Sequence, residues 1–290
     1  MRRHLSSDLI SVKIDNEMKT GPNGKVRVVD TAAAQEISTA DTEEAPTRRE
    51  RTRALTVEEI KATARQLMRD EGTTEIRFTD IARKMGMTPP ALYRYFADRD
   101  ALLTALITDA FEAIGTAVAE QRDAVPADDV GRRWVAAATA YRDWAKREPQ
   151  QFALILGMPV PGYVAPEEGP TTEAARNAMS QLADLFVRAA GIGRLGRPLL
   201  REVSPHMVSC AHTKHPELDD IVPPENFQAM MHAWATLHGI TSLDTYGQLD
   251  WMSDEARDAL FISTIRVAAL AAGIPVSPSD QTEETPAGHK

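Results

Sequence analysis

A chain of 290 residues, 43% apolar and 26% charged, is long enough for one large or two ordinary globular domains and has the composition of neither a fibre nor a membrane protein. Its formal net charge of -9 argues against a nucleic-acid partner only if the charge is evenly spread. It is not: residues 48–102 carry 12 Lys and Arg against 9 Asp and Glu, a net +3, so the acidity belongs to the rest of the chain.

Residues 1–46 show no helical or strand periodicity and end in the acidic, Pro-containing "TADTEEAPT", which predicts a disordered tail. The basic start lacks an apolar run of signal-peptide length, so the expected location is the cytoplasm. A single cysteine, Cys210, leaves no internal disulfide to form.

Order is expected from "LTVEEIKATARQLMRDEG". Thr56 and Glu59 have capping-box spacing, Leu55 and Ile60 staple spacing, and Val57, Ile60, Ala64, Leu67 and Met68 recur at helical period before Gly72. Thr79 is placed to cap a short second helix bearing Ile81, Ala82 and Met85, which Gly86 ends. Thr88 then caps a third helix of about two turns. Asp98 caps a fourth, in which Leu102, Leu103, Leu106, Ile107, Ala110 and Ile114 keep the period. Two short helices around a Gly-containing turn, flanked by longer ones, form a helix-turn-helix.

Past Asp128 the chain reads as four more helices, marked by Trp134 to Trp144, Met179 to Ala189, Phe227 to His238, and Ala256 to Ala272. The last carries the apolar patch "DALFISTIRVAALAAGI". Arg266 interrupts that patch and it falls short of the ~20 residues of a bilayer span, so it reads as a buried helix and no membrane partner is expected. "GMPVPGYVAPEEGP" and "VSCAHTKHPELDD" read as long irregular loops. No strand alternation of useful length follows Thr56, so the fold class is all-α. The expected division is a tail at 1–46, a helix-turn-helix DNA-binding domain at 47–102, a helical ligand-binding and dimerisation domain at 103–275, and a second tail at 276–290.

The third helix holds the chemistry. At about 100° per residue, Leu92 and Phe96 share one face and turn to the core, while Arg94 falls on the opposite face between Pro90 and Ala91. Tyr93 and Tyr95 flank the core face on either side. Arg94 could then fork onto guanine O6 and N7 in a major groove, Pro90 and Ala91 could touch thymine methyls, and the tyrosine hydroxyls could meet phosphates. Half-buried tyrosines and a solvated arginine would produce the same pattern. The basic run "TRRERTR" (Arg48, Arg49, Arg51, Arg53) just upstream favours DNA, since such an arm can reach a minor groove or phosphates.

The span from Thr56 to about Ala110, roughly a fifth of the chain, resembles the DNA-binding domain of the tetracycline-repressor (TetR) family in both residue type and spacing, through "FTDIARKMGMTPPALYRYFADRDALL". The resemblance implies that Thr79, Tyr93 and Tyr95 meet the DNA backbone and that Arg99 stands where the family usually has a basic residue, more often lysine; Thr88, the cap of the third helix, is expected on the same DNA-binding surface. Pro90 departs from the small residue usual at its position. The family further implies a homodimer built on the last two helices, a double-stranded DNA operator and a small-molecule effector. "WATLHG" resembles the Trp-His-Gly signature of one subset of such C-terminal domains.

Trp134, Tyr141, Phe152, Phe186, Met207, Met230, Met231, Trp234 and His238 would line a cavity suited to an apolar or aromatic ligand with one polar anchor. For each of them taken singly, core packing is the commoner role. His206, Cys210, His212 and His215 supply zinc-type donors without a paired Cys motif, which leaves a metal- or redox-responsive regulator as the alternative. A helical-bundle enzyme finds no support: there is no Gly-rich phosphate loop, no Gly-x-Ser-x-Gly elbow and no Glu-x-x-His pair. No cofactor is expected. The reading is a DNA-binding transcriptional regulator, most simply a repressor released from a palindromic operator by its effector.

Overall fold

Residues 47–166, 168–215, 218 and 221–276 are described in the computed structural model, and apart from Val276 the two expected tails lie outside them. Among these residues there are ten α-helices and no strand. They are α1 (Arg48–Glu71), α2 (Phe78–Lys84), α3 (Pro89–Leu92), α4 (Arg99–Asp123), α5 (Val130–Arg147), α6 (Pro149–Leu156), α7 (Pro170–Gly191), α8 (Pro205–Lys214), α9 (Pro224–Thr245) and α10 (Asp254–Ala271).

Helix α1 begins nine residues before the expected start. Thr47, not Thr56, closes the capping box: Glu50 N donates to its hydroxyl at 3.3 Å, and Thr47 N donates to Glu50 Oε2 at 2.7 Å. The chain spells two such boxes nine residues apart, and "RRERTRA" between them contains no breaker, so a helix nucleated at the second propagates back to the first. Thr56 is left inside the helix, where its hydroxyl donates to Thr52 O at 3.0 Å. Leu55 is exposed and forms no staple. The basic run is therefore two helical turns, not an extended arm.

Gly72 ends α1 in the left-handed region (φ 64°), with Thr73 N reaching back to Met68 O at 3.1 Å. The turn between α2 and α3 needs Gly86 at φ 66°, where a Cβ would be strained, and Met87 N closes it onto Ala82 O at 2.9 Å. Arg77, not Thr79, occupies the cap position of α2, and no side chain caps it. Thr79 is the second residue of the helix and points to solvent, because Phe78 enters the core first.

Helix α3 has one α-helical turn where two were expected. Tyr95 N and Phe96 N both fall on Leu92 O, at 2.9 and 3.1 Å, so the chain tightens and leaves the helix. Thr88 sits at its cap position, but the hydroxyl caps nothing. Pro89 and Pro90 have no N–H, and the first available donor, Ala91 N, is taken by the Thr88 carbonyl at 2.9 Å. Asp98 caps α4 as expected, accepting from Ala101 N at 2.7 Å.

Helix α4 runs without a break through the expected domain boundary at 102/103. Among the described residues it is also the one helix long and apolar enough to cross a bilayer, whereas the sequence reading weighed only the patch now in α10 and found it too short. Its apolar residues have protein partners instead: Leu102, Leu103, Leu106, Ile107, Ala110, Phe111, Ile114 and Val118 are buried, and α4 packs along α5 and α7. Lys61 and Arg65 of α1 grip its Asp109 at 2.8 and 2.9 Å. Burial opposes the Lys61 charge, yet its bonds to Asp109 and Glu58 raise the ammonium pKa above its ordinary value.

Two further helices lie where none was expected: Pro149 opens α6, and Ser204 caps α8, which runs into a stretch read as loop, by accepting from Met207 N at 3.2 Å. Helices α5, α9 and α10 close the far end. Trp134 Nε1 of α5 donates to Ile265 O of α10 at 2.8 Å, and Arg142 reaches Asp244 of α9 and Asp258 of α10 at 2.7 Å each while lying 4.6 Å over the Phe261 ring. Burial alone would raise the Asp244 carboxyl, but Arg142 and Lys146 hold it below the usual range.

Candidate nucleic-acid interface and aromatic ligand site

The recognition segment is hung from two anchors. Leu92 is 1% and Phe96 8% exposed, each burial stabilising by about 1.5–3 kcal/mol, and between them the backbone turns Arg94 outward with Thr88 and Pro90. Ala91 is half-buried beneath that surface. The two tyrosines are not equivalent. Tyr93 is 56% exposed and leans its ring on Phe78 of α2 at 5.0 Å, so its hydroxyl is presented to the outside. Tyr95 is half-buried against the core, with the Arg53 guanidinium 5.4 Å from its ring centroid. One shoulder of the head is therefore open, and α1 covers the other.

Among the upstream basic residues, Arg48, Arg49 and Arg51 are exposed on the first turns of α1. Arg53 turns inward to the head, where Nη1 donates to Arg94 O at 2.7 Å. Arg99, at the start of α4, also has backbone partners. Its guanidinium donates to Ile76 O at 3.3 Å and to Pro161 O at 3.5 Å, tying the start of α4 to the loop before α2 and to the segment after α6.

Four of the nine ligand candidates meet. The Tyr141 hydroxyl is 3.0 Å from His238 Nδ1, Phe152 stands edge-on to Tyr141 at 5.7 Å, and Trp234 stacks on His238 at 5.6 Å with 9° between planes. Three elements bring them together: α5 supplies Tyr141, α6 Phe152, and one stripe of α9 supplies Trp234 and His238 four residues apart. Burial pushes the Tyr141 phenol well above its ordinary pKa and the His238 imidazole below its own, so both favour their neutral forms. Trp234 Nε1 is buried and makes no hydrogen bond within the protein, which leaves one donor for a polar anchor.

Two of the other five pair elsewhere: Trp134 and Phe186 pack edge-on at 6.4 Å as a core pair, with the indole donor already engaged. Met230 is buried, and Met231 and Met207 are partly buried against the core. Sequence reasoning missed Tyr246, whose ring lies 6.1 Å from Phe152, and Ser242, 3.5 Å from His238 Nε2. Ser242 follows His238 by four residues on α9, so helical spacing could have found it. Tyr246 follows the end of α9, so periodicity could not.

The zinc-type cluster does not assemble. Among the described residues no three His, Cys, Asp or Glu side chains come together as a metal site. Because α8 is helical, His212 lies about 200° around the axis from Cys210. His215, past the helix end, is buried beside Phe227 at 5.5 Å. This geometry sets aside the metal-responsive alternative.

Residues 53–106 match the model of the bacterial regulatory proteins of the tetR family, and residues 134–268 match that of the tetracyclin repressor-like C-terminal domain. The HTH-type transcriptional regulators Rv1816 of Mycobacterium tuberculosis and Mb1846 of Mycobacterium bovis are each 35% identical over 189 residues, covering 63% of this chain and 77% of theirs. This chain belongs to the TetR family of transcriptional regulators. The solved structure of SCO4313, described as a regulatory protein, aligns with the regulator at 30% identity and a TM-score of 0.58, covering 77% of this chain and 98% of that one. A Rhodococcus sp. RHA1 protein at 21% identity, TM-score 0.54, shares the fold over 79% of this chain and 98% of its own.

The regulator also carries an apolar outer face. A groove of about 330 Å³ opens along α9 and α10, away from the aromatic cluster, floored by Ala229, Ala233 and Ala268 and rimmed by Leu199, Leu200 and Val267. Val267 is 65% and Leu270 57% exposed, so α10 is buried on one side only.

Proposed function

We propose that this TetR-family regulator is a cytoplasmic homodimeric repressor. Two recognition segments read successive major grooves of a palindromic operator, and a small aromatic effector taken up among Tyr141, Phe152, Trp234 and His238 releases them. The observation that carries the reading is the outward head of α3. Arg94, Pro90 and the Tyr93 hydroxyl stand on one exposed surface above buried Leu92 and Phe96, with Arg48, Arg49 and Arg51 beside it on α1.

The apolar α9 and α10 face supports the dimer, since an exposed row of Val267, Leu270, Leu199 and Leu200 is costly in water and fits an isologous partner surface. Two-fold symmetry then sets half-sites roughly 34–36 Å apart. Effector release follows if the ligand binds only the arrangement in which the heads no longer match that spacing, each site weakening the other by the same factor.

Fluorescence anisotropy against a randomised duplex library, at several salt concentrations, tests the operator reading. A palindromic consensus bound with a steep salt dependence is expected. Binding without sequence preference at moderate salt would sink it.

A further inference from the structure

We infer that Arg53 is a positioning residue for sequence readout: it sets the backbone from which Arg94 reads the operator. The inference rests on the operator reading above and adds to it a residue that touches no base.

The recognition segment is poorly supported by itself. It has a single α-helical turn, Thr88 gives it no side-chain cap, and Pro89 and Pro90 remove two donors at its start. Its exit is held from outside instead. Arg53 Nη1 donates to Arg94 O at 2.7 Å, and the same guanidinium stands over the Tyr95 ring at 5.4 Å. One planar cation thus holds two successive residues, Arg94 by its carbonyl and Tyr95 by its ring face. A cation at the carbonyl end of a helical turn is also favoured by the dipole.

Rotation of the Arg94 peptide carries its Cα–Cβ vector with it, and a long side chain amplifies a small rotation at its tip. Bidentate guanine readout tolerates little such error. Helix α1 makes the hold rigid, because the Thr47 and Glu50 capping box places Arg53 in an ordered second turn. Arg51, two residues earlier and exposed, suits a phosphate.

The test compares Arg53→Ala, Arg53→Gln and Arg51→Ala in the full chain. The probe is the duplex that wild-type protein selects from a randomised library, read against the same duplex with the preferred bases changed. In Arg53→Ala, discrimination between the two duplexes should fall by about tenfold, the scale of a lost charge-assisted hydrogen bond, while the slope of log affinity on log salt stays as in wild type. Arg53→Gln keeps a donor for Arg94 O and should recover part of the discrimination. Arg51→Ala should lower the salt slope by about one per protomer and leave discrimination intact.

Discrimination that survives in both Arg53 variants overturns the proposal. A slope loss in Arg53→Ala matching that of Arg51→Ala, with discrimination kept, would assign Arg53 to phosphate and overturn it equally. A wild-type protein that selects no consensus would sink the operator reading itself, a result distinct from either.

Discussion

Tyr93 and Tyr141 put one side chain to opposite uses. Tyr93 rests its ring on Phe78 and is 56% exposed. Tyr141 is buried at 2% exposure, and its hydroxyl already has a partner in His238. A head built of exposed groups can act on contact. The cluster has Tyr141 and Phe152 buried beneath half-buried Trp234 and His238, so the first region suits a rigid reading surface and the second a site whose occupation has consequences elsewhere.

If the two regions are as separate as this contrast says, damage to one should spare the other. The largest expected effect is Phe152→Ala: a side chain with 0% exposure, ringed by Tyr141, His238 and Tyr246, should cost about 3–5 kcal/mol in urea unfolding. Operator affinity of the protein that remains folded should be unchanged, and a parallel loss of specific binding would break the contrast. Arg94→Ala should do the reverse, removing about 1–3 kcal/mol of discrimination per half-site with an unaltered melting curve. A drop in Tm there would mean that Arg94 supports the fold.

Pro90→Gly sharpens the head further. Pro90 fixes the first turn of α3, so its loss should change which bases are selected while lowering stability by only about 0.5–1 kcal/mol, mainly through the unfolded chain. Equal losses in selection and in melting would contradict this. The smallest effect concerns pH. The His238 pKa is lowered by burial beneath that of the unfolded chain, so the unfolded state binds the proton more readily and stability should fall as pH drops through about 6.5. Between pH 7.5 and 5.5, Tm should decline less in His238→Gln than in wild type, and identical declines would remove His238 from the account.

Much of the head was legible in residue order. Helical period turned Leu92 and Phe96 inward and Arg94 outward, Asp98 was readable as a cap, and Gly86 as the turn. These are local facts, dictated by spacing and by one residue's own backbone preference. The contacts of Arg53 and Arg99 were not legible, because each looks like a free surface cation in sequence. Their partners, Arg94 O, Ile76 O and Pro161 O, are carbonyls 41, 23 and 62 positions away.

The aromatic cluster shows the same limit from the other side. Composition offers nine plausible lining residues, but whether Trp134 faces His238 or Phe186 depends on how α5 is rotated against α7, α9 and α10. Two helices, α6 and α8, were hidden because short segments opened by Pro149 and Pro205 carry too few turns for a period to stand out.

By itself the sequence determined the all-α class, the helix-turn-helix and its anchors, since these follow from periodicity, caps and turn chemistry acting over a few residues. Tertiary structure alone decided that the basic run is helical, that Arg53 and Arg99 bind backbone carbonyls, that the zinc-type donors stand apart, and which aromatics meet. Each of those outcomes rests on contacts between segments far apart in the chain, and burial and the geometry of hydrogen-bond partners settle them where local preference cannot.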